Sequence, residues 1–159
     1  IGTIGQANSD IKQVAELCNN ITEKWNWLKS RLDEFIAYGK VLIFAGTKTD
    51  VEDLGQNLRH FFSQRQLLVG IDTLHGDKDQ SDRSAVMKRF KDGETTVLVA
   101  TDVAARGLDI KNILVVINYD VARNIETHVH RIGRTGRMGI EGVTPGTAYT
   151  LVTPKDSSF

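Results

Sequence analysis

Continuous apolar runs of strand length recur along the chain at residues 41–45, 68–74, 96–101, 113–118 and 147–152, built largely from Val, Ile and Leu. Strands with one wet face alternate apolar and polar residues, whereas unbroken runs belong to parallel strands covered on both faces. Between the runs the apolar positions switch to helical spacing. Trp25, Leu28, Leu32, Phe35 and Ile36 form one such stripe, and Val51, Leu54, Leu58, Phe61 and Phe62 a second. Val86, Met87 and Phe90, following Ser81, form a third. Strand and helix alternate, which predicts a three-layer α/β/α domain with an open, mainly parallel sheet and right-handed crossovers. Residues 10–18 alternate loosely and are expected to add an entrance strand. Residues 1–9, polar and glycine-bearing, read as a linker arriving from something upstream, which leaves 10–159 as one domain. Thr153-Pro154-Lys155-Asp156 gives a turn or helix-start signal with no helix behind it.

Composition narrows the picture modestly. With 159 residues, 40% hydrophobic and 25% charged, the chain has the balance of a single globular domain with a proper core. Twenty basic and twenty acidic residues cancel, so any nucleic-acid surface must be local. The lone cysteine, Cys18, has no disulfide partner and no neighbouring ligand pattern, and reads as a small buried hydrophobe in a reducing compartment. The sequence contains no apolar run of membrane-spanning length and no signal pattern at its start, so an intracellular protein without a membrane partner is expected.

Two stretches carry candidate chemistry. Residues 125–137 begin as a helix with Asn124 as its N-cap and continue His130-Arg131-Ile132-Gly133-Arg134-Thr135-Gly136-Arg137. Three arginines at three-residue spacing would share one helical face. Gly133 and Gly136 each cost about 1 kcal/mol relative to Ala inside a helix, a cost that makes sense where a ligand must come close. Planar guanidinium forks suit phosphate oxygens, so the combination points to a polyphosphate. One acid, Glu126, lies in this helix, too few to absorb three arginines.

The second stretch is the run from Ala100 to Ile110, which leaves the carboxyl end of a buried strand, where open α/β sheets bind their ligands. Thr101 offers a hydroxyl and an N–H, Arg106 a charged fork, Gly107 a close approach, and Asp109 an acceptor for ribose hydroxyls. Asp102 fits either a site or a helix cap. Thr47-Lys48-Thr49 and His75-Gly76-Asp77 leave the same rim, with Gln80 and Arg83 on the helix after the latter. Taken singly, Thr47 or Thr49 could be an N-cap and His75 a turn residue; their common placement favours a site. Trp25 and Trp27, two residues apart, point in different directions on a helix and read as packing rather than a base-stacking platform. Tyr119 reads likewise.

Val41-Leu42-Ile43-Phe44, Leu74-His75-Gly76-Asp77 with Gln80 and Arg83, the run Ala100 to Ile110, and His130 to Arg137 together resemble motifs IV, IVa, V and VI of the DEAD-box RNA helicases, in order and over nearly the whole chain. The opening His-Arg of the last motif distinguishes that group from related helicases. Asn118-Tyr119-Asp120-Val121-Ala122-Arg123 and the ending most resemble the DEAD-box helicase 42 branch, which is associated with pre-mRNA splicing. Ala122 stands where the family commonly has proline and His128 where it commonly has tyrosine, and the loop 140–145 is longer than usual.

The resemblance implies the C-terminal, RecA-like (P-loop NTPase-like) domain of an ATP-dependent RNA helicase. By that likeness Arg134 and Arg137 are arginine fingers for the γ-phosphate of ATP, and Asp109 and Gly107 contact the nucleotide. Thr47, Gly76, Gln80, Arg83, Thr101 and Arg106 contact the RNA sugar–phosphate backbone, and His130 and Arg131 couple the two sites. ATP with Mg2+ would be bound chiefly by an N-terminal RecA-like domain in cis, because the chain has neither a Gly-x-x-x-x-Gly-Lys-Ser/Thr loop nor an Asp-Glu-Ala-Asp sequence. The fragment alone is then expected to be inactive and monomeric, with no metal ligands of its own. The branch implies a nuclear protein with splicing-related partners. A non-enzymatic RNA or protein docking module of the same fold, or a DNA-directed helicase, remains the alternative.

Overall fold

The computed structural model describes residues 11–105, 113–133, 138–139, 142–143 and 146–156. In chain order the elements are β1 (Ile11–Leu17), α1 (Ile21–Tyr38), β2 (Lys40–Phe44), α2 (Lys48–Gln64), β3 (Ile71–Leu74), α3 (Gln80–Asp92), β4 (Val97–Ala100), α4 (Asp102–Ala105), β5 (Ile113–Asn118) and α5 (Ile125–Ile132). A small antiparallel pair, β6 (Met138–Gly139) and β7 (Gly142–Val143), precedes β8 (Gly146–Val152) and a turn of 3₁₀ helix at Pro154–Asp156. The linker expected at 1–9 lies outside the described residues.

The unbroken apolar runs become strands because each has two buried faces. Val41, Ile43, Val97, Val99, Val115 and Ile117 pack on one side against Leu28, Leu32 and Phe35 of α1 and Val51, Leu54, Leu58 and Phe62 of α2. Leu42, Phe44, Leu98, Ala100 and Val116 turn the other way, onto Val86 and Phe90 of α3 and Ile132 of α5. The period-two alternation of a strand thus sorts one apolar run between two helical layers.

Among the described residues, six strands form one parallel sheet in the order β1-β8-β5-β2-β4-β3. β2 is central. The chain runs outward from it to β3, back to β4, and then crosses to β5, so the loops after β2, β4 and β3 are neighbours on one edge.

Two boundaries differ from the sequence expectation. The strand expected over 68–74 begins at Ile71, because α2 is closed by turns in which Arg65, Gln66 and Leu67 donate backwards to Phe62 and Ser63. Leu68 is then fully exposed, and sheet-like contact starts at Gly70, whose carbonyl accepts from both Thr96 and Val97. The second difference concerns the helix expected over 125–137. It ends at Ile132, where the Gly133 N–H closes the last turn on the Val129 and Arg131 carbonyls. Residues 134–137 of the expected helix lie outside the described residues.

Candidate functional site

Three adjacent strand ends build the rim. Thr47, just after β2, N-caps α2 by accepting from the Asp50 N–H at 3.1 Å. Gly76 follows β3, and Gln80 opens α3, whose N-cap is Asp79. Thr101 follows β4; its N–H donates to Leu74 of β3 at 3.2 Å and its hydroxyl accepts from Ala104 at 3.4 Å. Arg83, one turn into α3, donates to the Ala104 carbonyl at 3.4 Å, and Lys48 pairs with Asp77 at 2.6 Å across the edge. The structure therefore brings Thr47, Gly76, Gln80, Arg83 and Thr101 to one edge. Thr47 is therefore both the N-cap of α2 and a residue of this edge.

The Gly76 turn is held from below. The Asp77 N–H donates to His75 Nδ1 at 3.2 Å, which leaves the ring proton on Nε2, 2.8 Å from Glu52 Oε2. Glu52, on the second turn of α2, also accepts from Thr73 at 3.2 Å and pairs with Lys78 at 3.3 Å. Partial burial alone would push the Glu52 carboxyl up; the hydrogen bonds from His75, Lys78 and Thr73 outweigh it and hold the carboxyl below its ordinary value. Gly76 itself is open: among the described residues, a Cβ there would meet nothing within 4 Å.

A second centre lies where α5 meets the sheet. Arg131 is buried, with Nε and Nη2 donating to the two carboxylate oxygens of Asp102 at 2.6 and 2.8 Å. Nη1 donates to the Asp120 carbonyl at 2.6 Å and to Asn118 Oδ1 at 3.4 Å, and the guanidinium lies 5.1 Å from the centre of the Phe44 ring. This corrects the expectation of three arginines available to a phosphate: Arg131 is taken up by a carboxylate on another element, which counting acids within the helix could not reveal. Asp102 is thus the counter-charge of Arg131. One turn before Arg131, buried His128 bonds Gln13 of β1 at 3.0 Å, and burial, aided by Arg131, pushes its imidazole below the ordinary range. His130 lies on the same helix, exposed. Arg106, Gly107, Asp109, Arg134 and Arg137 lie outside the described residues.

Lys24 was missed by sequence reasoning. It is 2% exposed, its ammonium 3.1 Å from Asp120 Oδ1, while Asp120 Oδ2 accepts from the Gly46 N–H at 2.8 Å. The available signal was its place on the apolar stripe with Leu28, Leu32 and Phe35. The packing reading of the tryptophans holds: Trp27 lies against Phe35 and Tyr149, and Trp25 meets Phe61 edge-on. Cys18 is buried, and burial raises its thiol pKa. Tyr119 is half-buried, and its phenol is pushed up by burial and by Asp120. No helix among the described residues is long and apolar enough to cross a membrane.

A parallel α/β domain with polar loops gathered at the carboxyl ends of its central strands is the architecture of a RecA-like nucleotide- and polynucleotide-handling module. Residues 23–139 match the family described as "Helicase conserved C-terminal domain". The chain is 54% identical over 158 residues to the ATP-dependent RNA helicase DDX42 of mouse and of human, a match covering 99% of this chain and 16% of each relative. It thus spans about a sixth of the length of those curated relatives. Among solved structures, yeast Dbp5 bound to RNA and ADP BeF3 is 30% identical with a TM-score of 0.81, covering 98% of this chain and 39% of that one. The yeast DEAD-box splicing factor Prp28 is also 30% identical, with a TM-score of 0.75 over 90% of this chain and 29% of that one. The chain belongs to the helicase conserved C-terminal domain family, in its DEAD-box group.

Proposed function

We propose that this chain is the C-terminal half of an ATP-dependent RNA helicase that separates short stretches of duplex locally. It contributes the arginine fingers Arg134 and Arg137 to ATP, with Asp109 and Gly107 lying against the nucleotide, while an N-terminal RecA-like domain in cis supplies the main ATP site and its Mg2+. Thr47, Gly76, Gln80, Arg83, Thr101 and Arg106 grip the RNA sugar–phosphate backbone. Such contacts carry no sequence information, so binding is general for RNA. His130 and Arg131 couple the two sites.

The observation that carries this reading is the gathering of Thr47, Gly76, Gln80, Arg83 and Thr101 on the ends of three neighbouring strands, with space open at Gly76 among the described residues. Open space at a glycine fits the close approach of a ligand backbone. The likeness to DDX42 and to a Dbp5 structure holding RNA and ADP BeF3 supports the same substrates here. A nuclear protein with splicing-related partners is what the resemblance to the helicase 42 branch implies, and the likeness to the splicing factor Prp28 supports the partners.

The test is the double substitution Arg134→Ala with Arg137→Ala in the full-length protein. Fingers of this kind contribute roughly a thousandfold or more to phosphoryl transfer, so RNA-stimulated ATP turnover should collapse while RNA is still bound. Unchanged turnover overturns the reading. An unsubstituted full-length protein that binds RNA without hydrolysing ATP would indicate a docking module instead.

A further inference from the structure

Arg131 divides its donors between two residues, and each of these lies beside a different candidate RNA-binding threonine. Through Nε and Nη2 it holds Asp102, the direct neighbour of Thr101. Through Nη1 it holds the carbonyl of Asp120 at 2.6 Å, and the carboxylate of that same residue accepts from the N–H of Gly46, the direct neighbour of Thr47. The Asp120 backbone is also fastened to β2, its N–H and that of Tyr119 both reaching the Phe44 carbonyl at 3.4 and 3.0 Å. A Cβ added to Gly46 would stand 3.4 Å from Asp120 Oδ2, so carboxylate and loop are in contact.

A carboxylate one-third exposed at a strand end would ordinarily turn toward water. Here the buried Lys24 ammonium, 3.1 Å from Oδ1 and 5.6 Å from the centre of the Tyr119 ring, occupies one oxygen and leaves the other aimed at Gly46. A lysine is rarely sealed from solvent unless it is paired, and the described ion pair with Asp120 supplies that pairing. Its place on α1, remote in sequence from every candidate site residue, makes it a support for the loop.

We propose that Lys24 and Asp120 are positioning residues that fix the RNA-facing loop after β2 relative to Arg131, and so help transmit nucleotide binding to RNA binding. This rests on the helicase reading above. Movement of α5, which leads three residues past Arg131 to Arg134, would reach Thr101 through Asp102 and Thr47 through Asp120.

The experiment measures how far ADP–beryllium fluoride tightens the binding of a single-stranded RNA oligonucleotide to the full-length protein, in the unsubstituted form and in Lys24→Met, Asp120→Asn and the double variant. A purely structural pair would lower the folded fraction and leave this ratio alone. We expect each single variant to reduce the ratio roughly three- to tenfold, with the double variant no worse than the more affected single one. A ratio equal to that of the unsubstituted protein in folded variants, or additive losses, overturns the proposal. Gly46→Ala presses on the carboxylate from the loop side without disturbing the buried lysine. It provides the decision if the lysine variant does not fold: a reduced ratio supports the proposal and an unreduced one overturns it. Should the unsubstituted protein show no nucleotide-dependent tightening at all, the helicase reading itself fails.

Discussion

Arg131 and Asp102 face each other fork to fork, two parallel N–H to oxygen contacts at 2.6 and 2.8 Å, and the arginine side chain is only 2% exposed. The pair joins α5 to the start of α4, two elements that meet only through the fold. An arginine that reads in sequence as one step of a phosphate-binding ladder is in the structure a strut between loops.

Replacing Arg131 by Met would leave the Asp102 carboxylate and the Asp120 carbonyl without their donor in a mostly dry setting. Breaking a buried ion pair from one side costs about 3 kcal/mol or more, and urea unfolding should report a loss of that order. A loss within about 0.5 kcal/mol, the range of ordinary surface substitutions, would mean that water replaces the guanidinium with ease.

Gly70 is required by contact. An added Cβ would come 2.0 Å from the Glu94 carbonyl oxygen, a backbone atom that cannot turn aside. Gly70→Ala is expected to destabilise the domain by about 3 kcal/mol through forced separation of the segments leading into β3 and β4, measured by the urea midpoint. Gly55→Ala meets the Thr73 methyl at 2.4 Å and should also destabilise, because that buried β-branched side chain, bonded to Glu52, would have to move.

His128 gives a pH signature. Burial, with Arg131 adding to it, holds its folded pKa below that of the unfolded chain, so the unfolded state takes up the proton more readily. The stability it contributes is fully present above the unfolded value of about 6.5 and is lost as pH falls from there toward the folded value. His128→Gln, which can keep an amide bond to Gln13, should flatten the fall in melting temperature between pH 7.5 and 5. An identical fall in both proteins would remove His128 as its source.

Asp72 acts the same way at lower pH. Burial alone would push its carboxyl up, but hydrogen bonds from Arg89 at 2.9 and 3.0 Å and from Thr95, with the nearby charges of Arg89 and Arg59, bring it below the ordinary value. Its stabilisation is present above the unfolded pKa of about 3.9 and lost as pH falls from there through the folded value. Asp72→Asn should lower stability at neutral pH by about 2 kcal/mol and less below pH 3, read from urea unfolding at both.

Glu52 is expected to act on RNA through His75. Glu52→Ala removes the acceptor of the Nε2 proton and frees the ring whose Nδ1 holds the Asp77 N–H beside Gly76. The RNA concentration giving half-maximal ATP turnover in the full-length protein should rise about threefold, with a smaller change in the maximal rate. A change confined to the maximal rate would count against this role.

Local information settled much of this protein. Unbroken runs such as Val97 to Ala100 have one explanation in an α/β chain, a strand covered on both faces, and the helical stripes between them leave little choice of layer. The rim residues at 47, 76, 80, 83 and 101 were legible for the same reason, since each follows a strand at the edge where parallel sheets present their loops. Element ends were less legible. The run from Leu68 read as strand, yet α2 closes through turns that hold Leu68 out of the sheet. The stripe through Arg137 read as helix, yet Gly133 caps the last turn.

The partnerships of charged groups were decided by tertiary structure alone. Lys24 and Asp120 are 96 residues apart, Arg131 and Asp102 are 29 apart, and Glu52 and His75 are 23 apart. No local periodicity links such positions, because only the crossover order of the sheet sets their loops side by side. Sequence by itself determined which apolar residues would form the core and which edge would present the candidate loops. Only the folded chain decided which charges neutralise one another there, since Coulomb and hydrogen-bond energies depend on distances that sequence separation does not encode.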